Sequence, residues 1–126
     1  MKETSLPIGE TIVFTRKTDP NDLLGRPGGY VEKASWADDR VECFSDDPDW
    51  DCGGDIEIFD DAADLGERWR YLRSLANAPL IGGYYMWKTE FALLRVGHEL
   101  TRDRANEYED FFQTFFEGEI RRFRGA

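Results

Sequence analysis

The sequence predicts an α+β domain in which an antiparallel sheet carries two helices packed on one face. The prediction rests on short segments rich in β-branched and aromatic residues, on two stretches whose apolar residues recur every three or four positions, and on turn residues between them. The order is strand, loop, two strands, strand, helix, strand hairpin, helix. The later part matches a ferredoxin-like split βαβ unit with an extra N-terminal hairpin. At 126 residues, positions 1–126 are expected to form one domain.

The first half of the chain is predicted to supply strands. Residues 11–15 form a strand that could fill the open edge of the split βαβ unit, and the proline- and glycine-rich residues 18–29 form a loop. Residues 30–36 and 40–44 form an antiparallel hairpin. Residues 55–59 alternate between charged and apolar side chains, which places Ile56 and Ile58 on a buried face and Asp55 and Glu57 outside.

The second half is predicted to supply both helices and a strand pair. Asp60 or Asp61 caps the first helix. Its core stripe consists of Ala62, Leu65, Trp69, Leu72 and Ala76. Residues 84–87 and 91–96 form two strands around a short turn, and Thr101 caps a second helix that runs from about residue 102 to 116 or beyond. The side chains that face the sheet from this helix are Ala105, Tyr108, Phe112 and Phe115.

Negative charge is concentrated in one segment. The chain has 26 acidic and 16 basic residues, and residues 38–64 hold twelve of the acids with Arg40 as their single basic residue. The net charge of −10 argues against direct nucleic-acid binding and against an anionic membrane surface. A local field of one sign predicts a noncatalytic interaction module whose acidic face, 38–64, meets a basic protein surface. The expected contact residues are Asp38, Asp39, Asp46, Asp47, Asp49 and Asp51.

Two alternatives use the same acids. In the first, the protein is an acidic inhibitor that imitates nucleic acid in the groove of a DNA- or RNA-binding enzyme. In the second, it is a calcium-dependent binding module, because residues 49–60 partly match an EF-hand loop with Gly54 at the turn position. The expected calcium ligands are Asp49, Asp51, Asp55, Glu57 and Asp60. No other cofactor is expected.

The remaining signals concern the last helix, the cysteines and catalysis. Aromatic residues cover more of the last helix than one core stripe needs, so Phe111 and Phe116 are expected either to pack under the N-terminal loop or to contact a partner or a second copy in a homodimer. Cys43 and Cys52 flank a polar loop that a disulfide would close in an oxidising compartment, and two free thiols are the alternative. His98 is the only histidine and no catalytic motif is present, which predicts that the protein is not an enzyme.

Two sequence features bear on the location of the protein, namely an export signal and a membrane span. Residues 1–14 contain no export signal, which indicates a cytoplasmic protein, or else one whose leader is missing from this sequence. No apolar run approaches the roughly 18 residues of a membrane span, so membrane insertion is not expected.

Three blocks of the chain carry a resemblance. They are Asp19-Pro20-Asn21 through Leu24-Gly25-Arg26-Pro27-Gly28-Gly29-Tyr30, then Gly54-Asp55-Ile56-Glu57-Ile58-Phe59, then Leu93-Leu94-Arg95-Val96 with Leu100-Thr101 and Tyr108. Together they resemble a family of small uncharacterised actinobacterial proteins, many of them exported or lipoprotein-like. The resemblance implies an actinobacterial or actinophage origin and a cell-envelope or secreted location, and it supplies no activity.

Overall fold

Five strands form one antiparallel sheet in the order β1-β2-β3-β5-β4, and two helices pack against it. The computed structural model describes residues 7–19, 21–42, 52–76 and 83–125, with side chains as far as residue 113. The strands are β1 (Ile8–Val13), β2 (Glu32–Asp38), β3 (Gly53–Ile58), β4 (Tyr84–Lys88) and β5 (Ala92–Gly97), and the helices are α1 (Ala62–Leu75) and α2 (Arg102–Gly125). The predicted α+β class with an antiparallel sheet is confirmed.

The split βαβ unit consists of β3, α1 and β4, with β5 inserted between the two strands. Both β3 and β4 pair antiparallel with β5, so they run parallel to each other on either side of it. The strand beside β3 is β2, and β1 lies outside β2. Residues 11–15 were expected to lie next to the βαβ unit, and this expectation is wrong. In the structure β2 occupies that position, and β1 lies one strand further out.

The predicted hairpin of residues 30–36 with 40–44 is also wrong in the described part of the chain. After β2 the backbone turns at once, because the Val41 N–H donates to the Asp38 carbonyl. The antiparallel neighbours of β2 are therefore β1 and β3. The N-terminal hairpin is formed by β1 and β2, with the long glycine-rich loop between them.

The two helices lie on opposite faces of the sheet, which corrects the expectation that both share one face. Successive residues of a strand point to opposite faces. On β5, Leu93 packs with Leu65 of α1, whereas Leu94 packs with Tyr108 and Phe112 of α2. All six residues of β5 are consequently buried.

Burial on both faces has a direct consequence for the charged side chains of β3. Asp55 and Glu57 were expected to face solvent opposite Ile56 and Ile58, and the alternation itself is present. Helix α1 covers the face that carries the two acids, and both are fully buried. The position of α1, which the alternation of β3 does not reveal, therefore places two carboxylates inside the protein.

Helix α1 begins as predicted. Asp61 is its N-cap, and the Asp61 carboxylate accepts hydrogen bonds from the backbone N–H groups of Ala63 and Asp64. Of the predicted core stripe, Leu65 and Leu72 are buried. Ala62 is exposed and does not belong to the core, because it lies in the first turn, ahead of the part of α1 that contacts the sheet.

Candidate binding site

The candidate site lies on the α1 face of the sheet, where charged residues of three strands stand side by side. Lys33 of β2 is directly opposite Glu57 of β3, and Asp55 of β3 is directly opposite Arg95 of β5. Arg68 reaches the same group from α1. Directly opposed residues of neighbouring strands lie within side-chain reach of each other, so the register alone brings these charges together.

The five side chains form one ion-pair network, called the buried charge network below. Arg95 holds Asp55 by two hydrogen bonds of 2.6 and 3.1 Å. Arg68 binds both oxygens of Glu57, each at 3.0 Å. The Lys33 ammonium lies between the two acids, 3.2 Å from Glu57 and 3.5 Å from Asp55. Two-pronged arginine–carboxylate pairs of this kind fix the geometry of both partners.

Asp55 and Arg95 keep their charges although they are almost entirely out of contact with water. Burial raises the pKa of Asp55, but Arg95 and Lys33 lower it further, so the pKa lies below its ordinary value. Burial also lowers the pKa of Arg95, and the Asp55 carboxylate more than reverses that effect. With three cations and two carboxylates, the network carries one net positive charge. Each of the three cations contacts at least one carboxylate, so the excess is one of formal charge and leaves no cation without a partner.

One wall of the site is the loop between β1 and β2, organised around Asp19. The Asp19 carboxylate accepts hydrogen bonds from the backbone N–H groups of Asn21, Leu23 and Leu24. It also accepts a hydrogen bond from the Tyr30 hydroxyl, with 2.8 Å between the two oxygens. Burial raises the pKa of Asp19, yet the pKa is lowered overall because these hydrogen bonds favour the charged form.

Glycine is required where this loop turns back towards β2. Gly25 and Gly28 have φ values of +79° and +83°, a left-handed backbone that other residues rarely adopt. At Gly29 an added Cβ would lie only 2.1 Å from the Leu23 carbonyl oxygen. The block of proline and glycine residues that carries the family resemblance therefore closes a compact loop over the α1 face.

A cleft of about 580 Å³ opens between this loop and α1. The three cations of the buried charge network, Lys33, Arg68 and Arg95, line it, whereas Asp55 and Glu57 do not. Apolar and aromatic surface surrounds the cations. It is provided by Leu23, Tyr71, Leu72, Leu75 and Tyr84, with Asn21, Gly28 and Glu67 completing the lining.

A second buried carboxylate cluster lies on the α2 face. Arg40 binds both oxygens of Asp38, at 2.8 and 2.9 Å, and also Glu107 of α2 at 3.0 Å. The Tyr108 hydroxyl donates to Asp38 at 2.6 Å. Burial raises the pKa of Asp38, and the hydrogen bonds from Arg40 and Tyr108 outweigh this effect, so the pKa is lowered. This cluster ties β2 to α2 and has a structural role.

The predicted acidic face is divided among several parts of the molecule. Asp38 points towards α2 and is fully buried, so it cannot contact a partner, and Asp55 and Glu57 point towards α1. Asp39 is exposed, as expected for a contact residue. The remaining predicted contact acids, Asp46, Asp47, Asp49 and Asp51, lie outside the described residues.

The predicted calcium ligands are not assembled in the described part of the chain. Asp55 and Glu57 are held by Lys33 and arginine side chains, which leaves them unable to coordinate a cation as proposed. Asp60 is exposed, and Asp49 and Asp51 lie outside the described residues. The described residues contain no group of three or more His, Cys, Asp or Glu side chains arranged to hold a metal ion.

Three further predicted residues can be placed. Phe111 is 42% exposed on α2, and the Phe116 side chain lies outside the described part. Cys52 is buried and disulfide-bonded, while Cys43, the other cysteine of the chain, lies outside the described residues. His98 is exposed at the end of β5.

The sequence analysis missed the cations that line the cleft. A signal was present, because Arg95 interrupts the apolar run Leu93-Leu94-Arg95-Val96 of a strand. A charged residue in the middle of a buried strand must find a counter-charge inside the protein. The acids of residues 55–59 were its natural partners, and pairing the two segments would have predicted the network.

No family model, no curated protein and no solved structure matches the chain. The resemblance to actinobacterial proteins thus stays a prediction. Within the described ranges, neither helix is apolar enough over a sufficient length to cross a bilayer.

Proposed function

We propose that the protein is a noncatalytic binding module whose cleft holds a small anionic ligand with an apolar body. The observation that carries this proposal is the asymmetry of the buried charge network: its three cations line the cleft and its two carboxylates lie away from it. An anion in the cleft would neutralise the one excess positive charge. In a poorly hydrated site that attraction is much stronger than in water.

The walls favour one class of anion. Leu23, Leu72 and Leu75 provide apolar surface, and Tyr71 and Tyr84 provide aromatic surface. A cleft of about 580 Å³ falls within the range of ordinary small-molecule pockets. A monocarboxylate with an aliphatic or aromatic body fits both features, with its carboxylate at Arg68 and Arg95 and its body against the leucines.

Calorimetric titration with medium-chain carboxylates and benzoate tests the proposal, and the corresponding amides serve as uncharged controls. Arg68→Gln should weaken binding roughly 10- to 100-fold, because a hydrogen bond to a charged group contributes about 1.5–3 kcal/mol. Arg70→Gln, on the exposed side of α1, is the matched control and should change nothing. Equal binding of carboxylates and amides, or an unchanged Kd in folded Arg68→Gln, would contradict the proposal.

A second candidate function keeps the acidic interaction surface, and one observation favours it. Asp60, Asp61, Asp64 and Glu67 gather around the first turns of α1. The pKa of Asp64 is raised by partial desolvation and by repulsion from these three neighbours. This exposed group, with Asp39 and the acids of residues 46–51, would meet a basic protein surface, including that of a nucleic-acid-binding enzyme.

Salt dependence and competition test this second function. Binding to a basic partner should weaken steeply with ionic strength, and a nucleic-acid-mimicking inhibitor should compete with DNA or RNA. The variant Asp60→Asn with Asp64→Asn should reduce the association rate. Glu109→Gln, which removes one charge from α2, serves as the control. If partner binding changes neither with salt concentration nor with the α1 substitutions, this acidic surface is not the binding site.

A further inference from the structure

A second groove lies along the outer edge of the sheet, where β4 is the last strand. Its volume is about 300 Å³. Helix α1 contributes Trp69 and Arg73, which follow directly after residues of α1 that line the cleft. Strand β4 contributes Tyr85. Because the two helices lie on opposite faces, the start of α2 reaches the same edge from the other side and adds Arg102.

Aromatic and cationic groups are in direct contact in this groove. The Arg102 guanidinium lies 4.6 Å from the centre of the Tyr85 ring. The His98 ring approaches Tyr85 edge-on, with 4.3 Å between ring centres. A guanidinium stacked on an aromatic face keeps its N–H donors at the rim of the stack, where they remain able to bind an anion.

The charge of the groove differs from that of the cleft. Its lining contains Arg73, Arg102 and His98 and, within the described residues, no carboxylate. The ion pairs of the described part of the chain do not include Arg73 or Arg102. Asp103, in the first turn of α2, does not line the groove. Two arginines from different helices thus line one small space in which the described residues supply no counter-ion.

We propose that this groove binds a nucleoside monophosphate. The two arginines, one from each helix, would hold the phosphate, for which the fork of guanidinium donors is well suited. The Trp69 ring, which also lines the groove, would receive the base by stacking. A volume of about 300 Å³ is at the small end of ligand pockets, which favours a single nucleotide over a larger ligand. Tyr84 lines both the groove and the cleft, but the arginines of the groove are not those of the cleft.

The net charge of the chain selects the monomer over the polymer. Binding to a nucleic-acid strand requires an extended positive surface that follows many phosphates. This chain carries a net charge of −10, so its positive groove is local and a long polyanion would be repelled. A single nucleotide places its charge only between the two arginines.

The experiment uses the full chain and four probes: adenosine monophosphate, adenosine, inorganic phosphate and a short single-stranded oligonucleotide. His98 is the only histidine, so its ring proton signals in NMR report on the groove without ambiguity. The monophosphate should shift these signals and bind at least tenfold more tightly than adenosine or phosphate. Phosphate binding as tightly as the monophosphate, tighter binding of the oligonucleotide, or no binding overturns the proposal.

Substitutions place the ligand on the named residues. Arg73→Gln and Arg102→Gln should each weaken monophosphate binding at least tenfold. Arg70→Gln and Arg104→Gln, exposed on the same two helices and outside the groove, are the matched controls and should bind normally. Loss of binding in a control, or normal binding in both groove variants, overturns the assignment.

Discussion

Asp55→Asn should be among the most destabilising single substitutions in the chain. The Asp55 side chain is fully buried and lies 2.6 Å from Arg95 and 3.5 Å from Lys33. Asparagine has nearly the same size, so the substitution opens no cavity. It removes one of two negative charges facing three cations, which doubles the net positive charge of the buried charge network.

The expected cost follows from that unpaired charge. Breaking a buried ion pair by removing one partner costs about 3–5 kcal/mol. The free energy of unfolding of an ordinary domain is about 5–15 kcal/mol, so the variant should lose a large part of it. The NH2 group of asparagine replaces one carboxylate oxygen and faces the N–H donors of Arg95 and Lys33. Two hydrogen-bond donors then face each other, which adds to the loss of stability.

Urea unfolding at pH 7, followed by tryptophan fluorescence, measures this cost. Asp22→Asn is the matched control, because Asp22 pairs with Arg26 at 3.0 Å on the surface, where Asp22 is 71% exposed. An exposed pair of this kind contributes only about 0–1 kcal/mol. The two variants remove the same chemical group and differ in burial.

A double-mutant cycle adds a second measurement. Arg95→Met alone should also be costly, but Asp55→Asn combined with Arg95→Met should cost less than the sum, because the second change removes the charge that the first left unpaired. The expected coupling is about 1–3 kcal/mol. If Asp55→Asn costs under about 1 kcal/mol, or if the two changes add, the network does not hold its charges as argued above.

Three further predictions concern acid, one hydrogen bond and two glycines. Arg95 and Lys33 lower the pKa of Asp55 against the effect of burial, so the contribution of the Asp55 carboxylate to stability is complete above its ordinary pKa of 3.8 and is lost as the pH falls below that value. Circular dichroism between about pH 5 and 2 should therefore show unfolding. A full native signal at pH 2 would contradict this prediction. Tyr108→Phe removes the hydrogen bond to Asp38 and should cost about 1.5–3 kcal/mol in urea unfolding. Gly29→Ala should lower the melting temperature, since the new methyl group overlaps a backbone oxygen, at a cost of about 1–3 kcal/mol. Gly66→Ala should instead raise the melting temperature, with a gain of about 0.5–1 kcal/mol in stability, because the added Cβ would meet the flexible Arg70 side chain at an ordinary contact distance of 3.7 Å.

Local sequence signals were sufficient for much of the fold. The alternation at Ile56 and Ile58 defined β3, and the carboxylate of Asp61 defined the start of α1, because both depend on residues within one or two turns of the chain. The succession of strands and helices then led to the split βαβ unit, since short connections limit the topologies available.

The side of the sheet on which each helix packs was decided only in three dimensions. Both helices have an apolar stripe, and a stripe does not specify which face of a sheet it covers. The opposite placement of α1 and α2 converted the charged face of β3 from an expected outer surface into an interior. It also brought Arg73 and Arg102, 29 positions apart, to one edge of the sheet.

Neighbouring residues along the chain were enough to predict most of the strands and helices, the acidic balance and the glycine-rich loop, because these depend on local sequence. The tertiary structure alone decided which charges meet. Ion pairing acts over a few ångströms in space whatever the distance along the chain, so the acids that looked like a surface became partners of Lys33, Arg68 and Arg95. The cleft and the groove are therefore lined by the cations Lys33, Arg68, Arg95, Arg73 and Arg102, in a chain whose net charge is negative.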